Sequence, residues 1–130
     1  MAQIKQTYKI KASIEQVWDA LTNKEIMEKW GAGPDVVMEV REGGKFSLWG
    51  GDIFGTNTKI QAPAKLEQDW YGNSEWEKPS KVIFELKFKD GITTIDLQHD
   101  GMPAEEVEDF DQGWKDYYLG SIKDLLEKSK

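Results

Sequence analysis

The stretch KVIFELKFKDGITTIDLQHDG, Lys81 to Gly101, constrains the fold more than any other. Val82, Phe84, Leu86 and Phe88 occupy alternate positions, Asp90-Gly91 makes a tight turn, and Ile95 and Leu97 resume the pattern on the return. A hairpin of this kind has one apolar face, and register is set by the need to bury it. The same alternation recurs at the start of the chain. Ile4, Tyr8 and Ile10 fall on one side of IKQTYKIKA, with lysines and Thr7 on the other. DVVMEVREGGKFSLWGG reads as two strands around Glu42-Gly43-Gly44-Lys45, and DIFGTNTKIQAPAKLEQDWYG as two more, broken at Ala62-Pro63. YGNSEWEKPS is a polar loop carrying Trp76.

Two short helices interrupt this β pattern after the first strand. Ser13 and Gln16 have the spacing of a capping box ahead of Val17, Trp18 and Leu21. Thr22 and Glu25 repeat that spacing ahead of Ile26, Met27 and Trp30, and Gly31 suits a helix stop. A long terminal helix begins near Pro103, with acidic residues at its start and lysines at its end, as the helix dipole favours. At about 100° per residue, Val107, Phe110, Tyr117, Tyr118, Ser121 and Leu125 lie within about 60° of Trp114. Ile122 sits on one shoulder, and Gly113 and Gly120 share the other. That bare strip either lets another element pack closely or leaves room for a ligand.

Strand, two short helices, six antiparallel strands and one amphipathic helix make an α+β arrangement. A curved antiparallel sheet of about seven strands grips the terminal helix on its concave face. No linker, repeat or low-complexity tract divides the chain, so residues 1–130 read as a single domain.

Composition narrows the function. The net charge of −7 argues against nonspecific nucleic-acid or anionic-membrane binding, which needs excess Lys and Arg. Without cysteine there is no disulfide, thiolate metal site or cysteine nucleophile. No signal-peptide core or 18-residue apolar run is present, and a cytoplasmic, monomeric protein is expected. Six Trp, five Phe and four Tyr demand a large core or a cavity to line.

REGGKFSLWGGDIFGTNTKIQAPAKLEQDW resembles the central block of the family of heat-shock protein 90 ATPase activators, and HDGMPAEEVEDFDQGWKDYYLGSIKDLL resembles its terminal block. With the double helix at residues 13–30, the resemblance spans nearly the whole chain. It implies the START-like helix-grip fold and a possible heat-shock protein 90-type chaperone partner. The resemblance is to the C-terminal domain of the two-domain eukaryotic activator. The domain that carries the main chaperone contact has no counterpart here.

Chemistry-bearing motifs are sparse. His99 is the sole histidine and cysteine is absent, so a Cys/His or multi-histidine zinc site is excluded and any Ser-His-Asp relay must run through His99. It is in phase with Ile95 and Leu97, and reads either as a hydrogen-bonded histidine at a strand–helix junction or as a polar anchor inside a cavity. GAGPD and REGGKF lack the setting of a phosphate loop. The acidic run Glu105–Asp111 lacks the ligand pattern of a calcium loop. No cofactor and no catalytic residue are expected.

Cavity-lining candidates are Trp18, Trp30, Phe46, Leu48, Phe84, Leu86, Phe88, His99, Phe110, Trp114, Tyr117 and Tyr118. Their alternative is a plain aromatic core. Trp49 and Trp76 are candidates for a partner contact if both are exposed. The reading is therefore a noncatalytic binding domain that contacts a chaperone or holds a small hydrophobic ligand. The rival is a small cyclase- or hydrolase-type enzyme using His99.

Overall fold

The structure is a computed structural model and describes residues 3–33, 35–72 and 78–128. The strands are β1 (Gln3–Ile10), β2 (Val37–Met38), β3 (Lys45–Leu48), β4 (Ile53–Gln61), β5 (Lys65–Tyr71), β6 (Ser80–Lys89) and β7 (Ile92–Asp100). They form one seven-stranded, curved antiparallel sheet in the order β1-β7-β6-β5-β4-β3-β2. The alternation in the sequence sets the register. Val82 faces His99, Phe84 faces Leu97 and Leu86 faces Ile95, so all six share the covered face. Asp90 and Gly91 turn the hairpin with φ of 53° and 81°.

Helices α1 (Ile14–Thr22) and α2 (Lys24–Trp30) carry the chain from β1 at one edge of the sheet to β2 at the other. The capping box at Ser13 forms. The second cap is Asn23, whose carboxamide oxygen accepts from the Glu25 and Ile26 N–H groups. Thr22, expected there, instead donates its hydroxyl to the Trp18 carbonyl at 2.8 Å and is buried. Adjacent helices leave one residue between them, and Asn23 closes α1 and opens α2 at once.

The terminal helix corrects the sequence reading. It begins as α3 (Val107–Gly113), passes through a π-turn at Trp114–Tyr118 and continues as α4 (Leu119–Lys128). The Leu119 N–H reaches back five residues to the Trp114 carbonyl. A π-turn holds one residue more than an α-turn, so every later residue is rotated by about 100° relative to a regular wheel. The buried stripe accordingly runs from Trp114 and Tyr118 into Leu119, Ile122 and Leu126, while Tyr117 is 66% exposed. Gly113 and Gly120 no longer share a shoulder. A Cβ at Gly113 would meet nothing within 4 Å, whereas one at Gly120 would overlap the Lys115 carbonyl.

Phe88 is the other misplaced side chain. It keeps the inward phase yet is half exposed. Its strand outruns β5, whose pairing with β6 ends at Lys65–Glu85, so no β5 residue pairs with it on that side. Helices α1 and α2 pack on α4, and α3 and α4 also touch β1. The core is closed by these contacts, with each fully buried large side chain contributing roughly 1.5–3 kcal/mol. None of the described helices is long and apolar enough to cross a membrane.

Candidate functional site

A partly open cavity of about 500 Å³ lies at one end of the gripped helix. Its walls come from the turn after β3 (Trp49, Asp52), the start of β4 (Ile53), the end of β5 (Trp70, Gly72) and the helix (Asp109, Phe110, Gly113, Trp114, Tyr117, Tyr118). Of the expected lining residues, Phe110, Trp114, Tyr117 and Tyr118 reach it. Trp18, Trp30, Phe46, Leu48, Phe84, Leu86 and His99 are buried in the core instead and do not line it. Phe88 does not line it either. Trp76 lies outside the described residues.

Trp49 is held in place against its backbone preference. Its φ is 51°, in the left-handed region that a bulky residue rarely occupies. The Trp49 N–H donates to the Ala32 carbonyl at 2.7 Å, and its indole N–H to the Gly31 carbonyl at 2.7 Å. The approach is so close that a Cβ at Gly33 would come to 2.6 Å from the Trp49 Cα. The indole is half-buried, edge-on to Trp30 at 6.2 Å and to Tyr118 at 6.1 Å. It is thus a wall of the cavity rather than a free surface aromatic.

Rings run without interruption from this wall into the core. Trp30 meets Tyr118 at 4.7 Å, Tyr118 meets Trp114 at 4.6 Å, and Trp114 stacks on Trp70 at 5.0 Å. Trp70 is 2% exposed, and its indole N–H has no acceptor among the described residues. Leu66, Gln68 and Trp70 alternate in KLEQDWY, a pattern that marks Trp70 as inward, while its place in the cavity wall comes from the fold. Asp52, Ile53, Gly72 and Asp109 leave no local signal, because only the fold brings the turn, two strand ends and the helix together.

His99 sits beneath this layer and is fully buried. The Trp114 Nε1–H donates to its Nδ1 at 3.1 Å. Ser80 Oγ stands 2.7 Å from Nε2 and 2.9 Å from the Trp70 carbonyl. A carbonyl can only accept, so the single Ser80 proton goes to Trp70, and His99 Nε2–H must donate to Ser80 Oγ. The ring is therefore neutral with both nitrogens engaged. Burial pulls its pKa down to about 4, against the opposing pull of the Asp100 carboxylate. For Ser80 to act as a nucleophile, Nε2 would have to accept its proton and Nδ1 would carry the other. Nδ1–H would then point at the Trp114 N–H, donor against donor. Among the described residues no group of three or more His, Cys, Asp or Glu side chains is placed to hold a metal ion.

Comparison with known proteins agrees with the sheet and its gripped helix. Residues 11–127 match the family described as Activator of Hsp90 ATPase homolog 1-like protein. The chain belongs to that family. Among curated relatives of this family member, the activator of 90 kDa heat shock protein ATPase homolog of Dictyostelium discoideum is 36% identical over 98 residues, covering 73% of this chain and 25% of that one. Homolog 2 of Mus musculus is 29% identical over 117 residues, covering 88% of this chain and 35% of the relative. The chain thus spans about a quarter to a third of the length of these relatives. The crystal structure of an HSP90 activator from Plasmodium falciparum superposes with a TM-score of 0.89 at 26% identity, covering 98% of this chain and 97% of that one.

Proposed function

We propose that this member of the activator family is a noncatalytic binding domain that holds a small apolar ligand in the cavity beside the terminal helix. The observation that carries this is the cavity itself. About 500 Å³ is walled largely by rings, within the range of small-molecule sites. The strained Trp49 and the π-turn both aim aromatic side chains at it, and such local irregularities gather at functional positions. The His99 arrangement supports a structural rather than a catalytic role, since both ring nitrogens are already hydrogen-bonded.

The test uses the neutral fluorescent probe N-phenyl-1-naphthylamine with the protein and with Gly113→Leu. The open space at Gly113 lets a leucine enter the cavity without displacing backbone. Binding to the parent that disappears in a folded Gly113→Leu protein is the expected result. Undiminished binding in the variant, or none in the parent, counts against the reading. Native mass spectrometry of freshly purified protein would identify any retained molecule.

A second reading is contact with a heat-shock protein 90-type chaperone. It is supported by the similarity to a P. falciparum chain of nearly equal extent that is called an HSP90 activator. Amide shift changes on adding the cognate chaperone are expected, and an unchanged spectrum would rule this reading out.

A further inference from the structure

The walls of the cavity are selective in charge as well as shape. Trp49, Trp70, Phe110, Trp114, Tyr117 and Tyr118 surround it. The charged side chains at its edge are Asp52 and Asp109, both acidic and both exposed, and among the described residues no Lys, Arg or His lines it. We propose that the cavity takes a free organic cation, an ammonium group carried on a compact apolar body. The proposal rests on the apolar-ligand reading above and names the class of that ligand.

The chemistry of the walls distinguishes three kinds of guest. Aromatic faces carry the negative part of the ring quadrupole and attract an ammonium held against them. The rings stand at differing inclinations, with Trp49 at 73° to Tyr118 and Phe110 at 71° to Trp70, so they are not one flat platform. The stacked Trp70–Trp114 pair offers apolar surface for the body of the ligand. An anion would face two carboxylates with no cation to compensate. A neutral guest would fill the same space but would partly desolvate Asp52 and Asp109 without pairing them. A cation alone gains from rings and carboxylates together, and the chain's net charge of −7 adds an attractive field. The volume exceeds what an ammonium head needs, which favours a small molecule with its own apolar body over a lysine side chain.

The full chain is titrated by calorimetry with benzyltrimethylammonium, with neopentylbenzene, in which carbon replaces the charged nitrogen, and with phenylmethanesulfonate. The cation is expected to bind at least about tenfold more tightly than its neutral isostere, and the sulfonate not at all. Asp52→Asn and Asp109→Asn, both surface changes, are each expected to shrink that gap by roughly threefold. Equal or tighter binding of neopentylbenzene overturns the cationic class and leaves the apolar-ligand reading intact. Failure of all three probes overturns that reading and this proposal with it. Tighter binding of a trimethyllysine peptide than of benzyltrimethylammonium overturns the assignment to a free small molecule.

Discussion

Replacing Gly113 and Gly120 by alanine should move stability in opposite directions. Both glycines lie in one continuous helix, and on a regular wheel they are equivalent. In a helix interior Gly→Ala contributes roughly 0.5–1 kcal/mol, mainly by restricting the unfolded chain. Gly113 collects this gain in full, because a Cβ there meets nothing within 4 Å. At Gly120 the new methyl overlaps the Lys115 carbonyl, a backbone atom that cannot swing aside. Overpacking of this kind costs about 1–3 kcal/mol, so the net change is a loss of about 1–2 kcal/mol. The helix cannot escape by reverting to regular α geometry. That would rotate Leu119, Ile122 and Leu126 off the core, at roughly 1.5–3 kcal/mol for each side chain exposed. Urea unfolding followed by Trp fluorescence measures both variants, with the midpoint shift read at constant m. A separation near 2 kcal/mol or more, with Gly113→Ala the more stable, is expected. Equal stabilisation of the two would refute the π-turn and restore the regular wheel.

Two further outcomes follow from buried polar groups. His99 is neutral when folded, with a pKa of about 4 against about 6.5 unfolded, so the unfolded chain binds the extra proton. Its stabilisation is complete above about pH 6.5 and is lost as pH falls toward 4, at up to about 1.4 kcal/mol per pH unit. Urea midpoints between pH 7 and 5 should fall for the parent and less for His99→Gln, and a flat parent profile would contradict the assignment. Asn57 donates to the Glu39 carbonyl at 2.8 Å and accepts from Gln68 Nε2 at 2.9 Å, while Gln68 Oε1 is buried with no partner among the described residues. Asn57→Ala should cost about 2–3 kcal/mol, and a double-mutant cycle with Gln68→Ala should show about 1 kcal/mol of coupling. Strict additivity would mean the two amides do not act together.

Legibility in the sequence varied with the range of the cause. Ser13 with Gln16, Gly31 and Asp90-Gly91 act within a few residues, and each local structure matches its sequence signal. The strand alternation carried the sheet, because period-two burial survives in any setting where one face is covered. The cap falls on Asn23 rather than the expected Thr22, because the Thr22 hydroxyl turns inward to the Trp18 carbonyl, a choice that packing makes. Phe88 followed the correct phase but ran past the end of β5, whose length its own strand does not encode. Asn57 is a buried polar residue next to a register shift between Asn57 and Lys59, and an irregularity in strand pairing has no period that the sequence displays.

The sequence by itself determined the order of the elements, the gripping sheet and the presence of an aromatic terminal helix, because these rest on periodicity and local turn chemistry; the family came from the resemblance of its central and terminal blocks to known proteins. Tertiary structure alone decided which aromatics meet a cavity. A single π-turn rotates Leu119 into the core and leaves Tyr117 at the rim, and a left-handed Trp49 is pinned by carbonyls from a segment well before it in the chain. Both are choices made by packing against local preference. A wheel or an alternation pattern, which assumes regular geometry, therefore cannot register them.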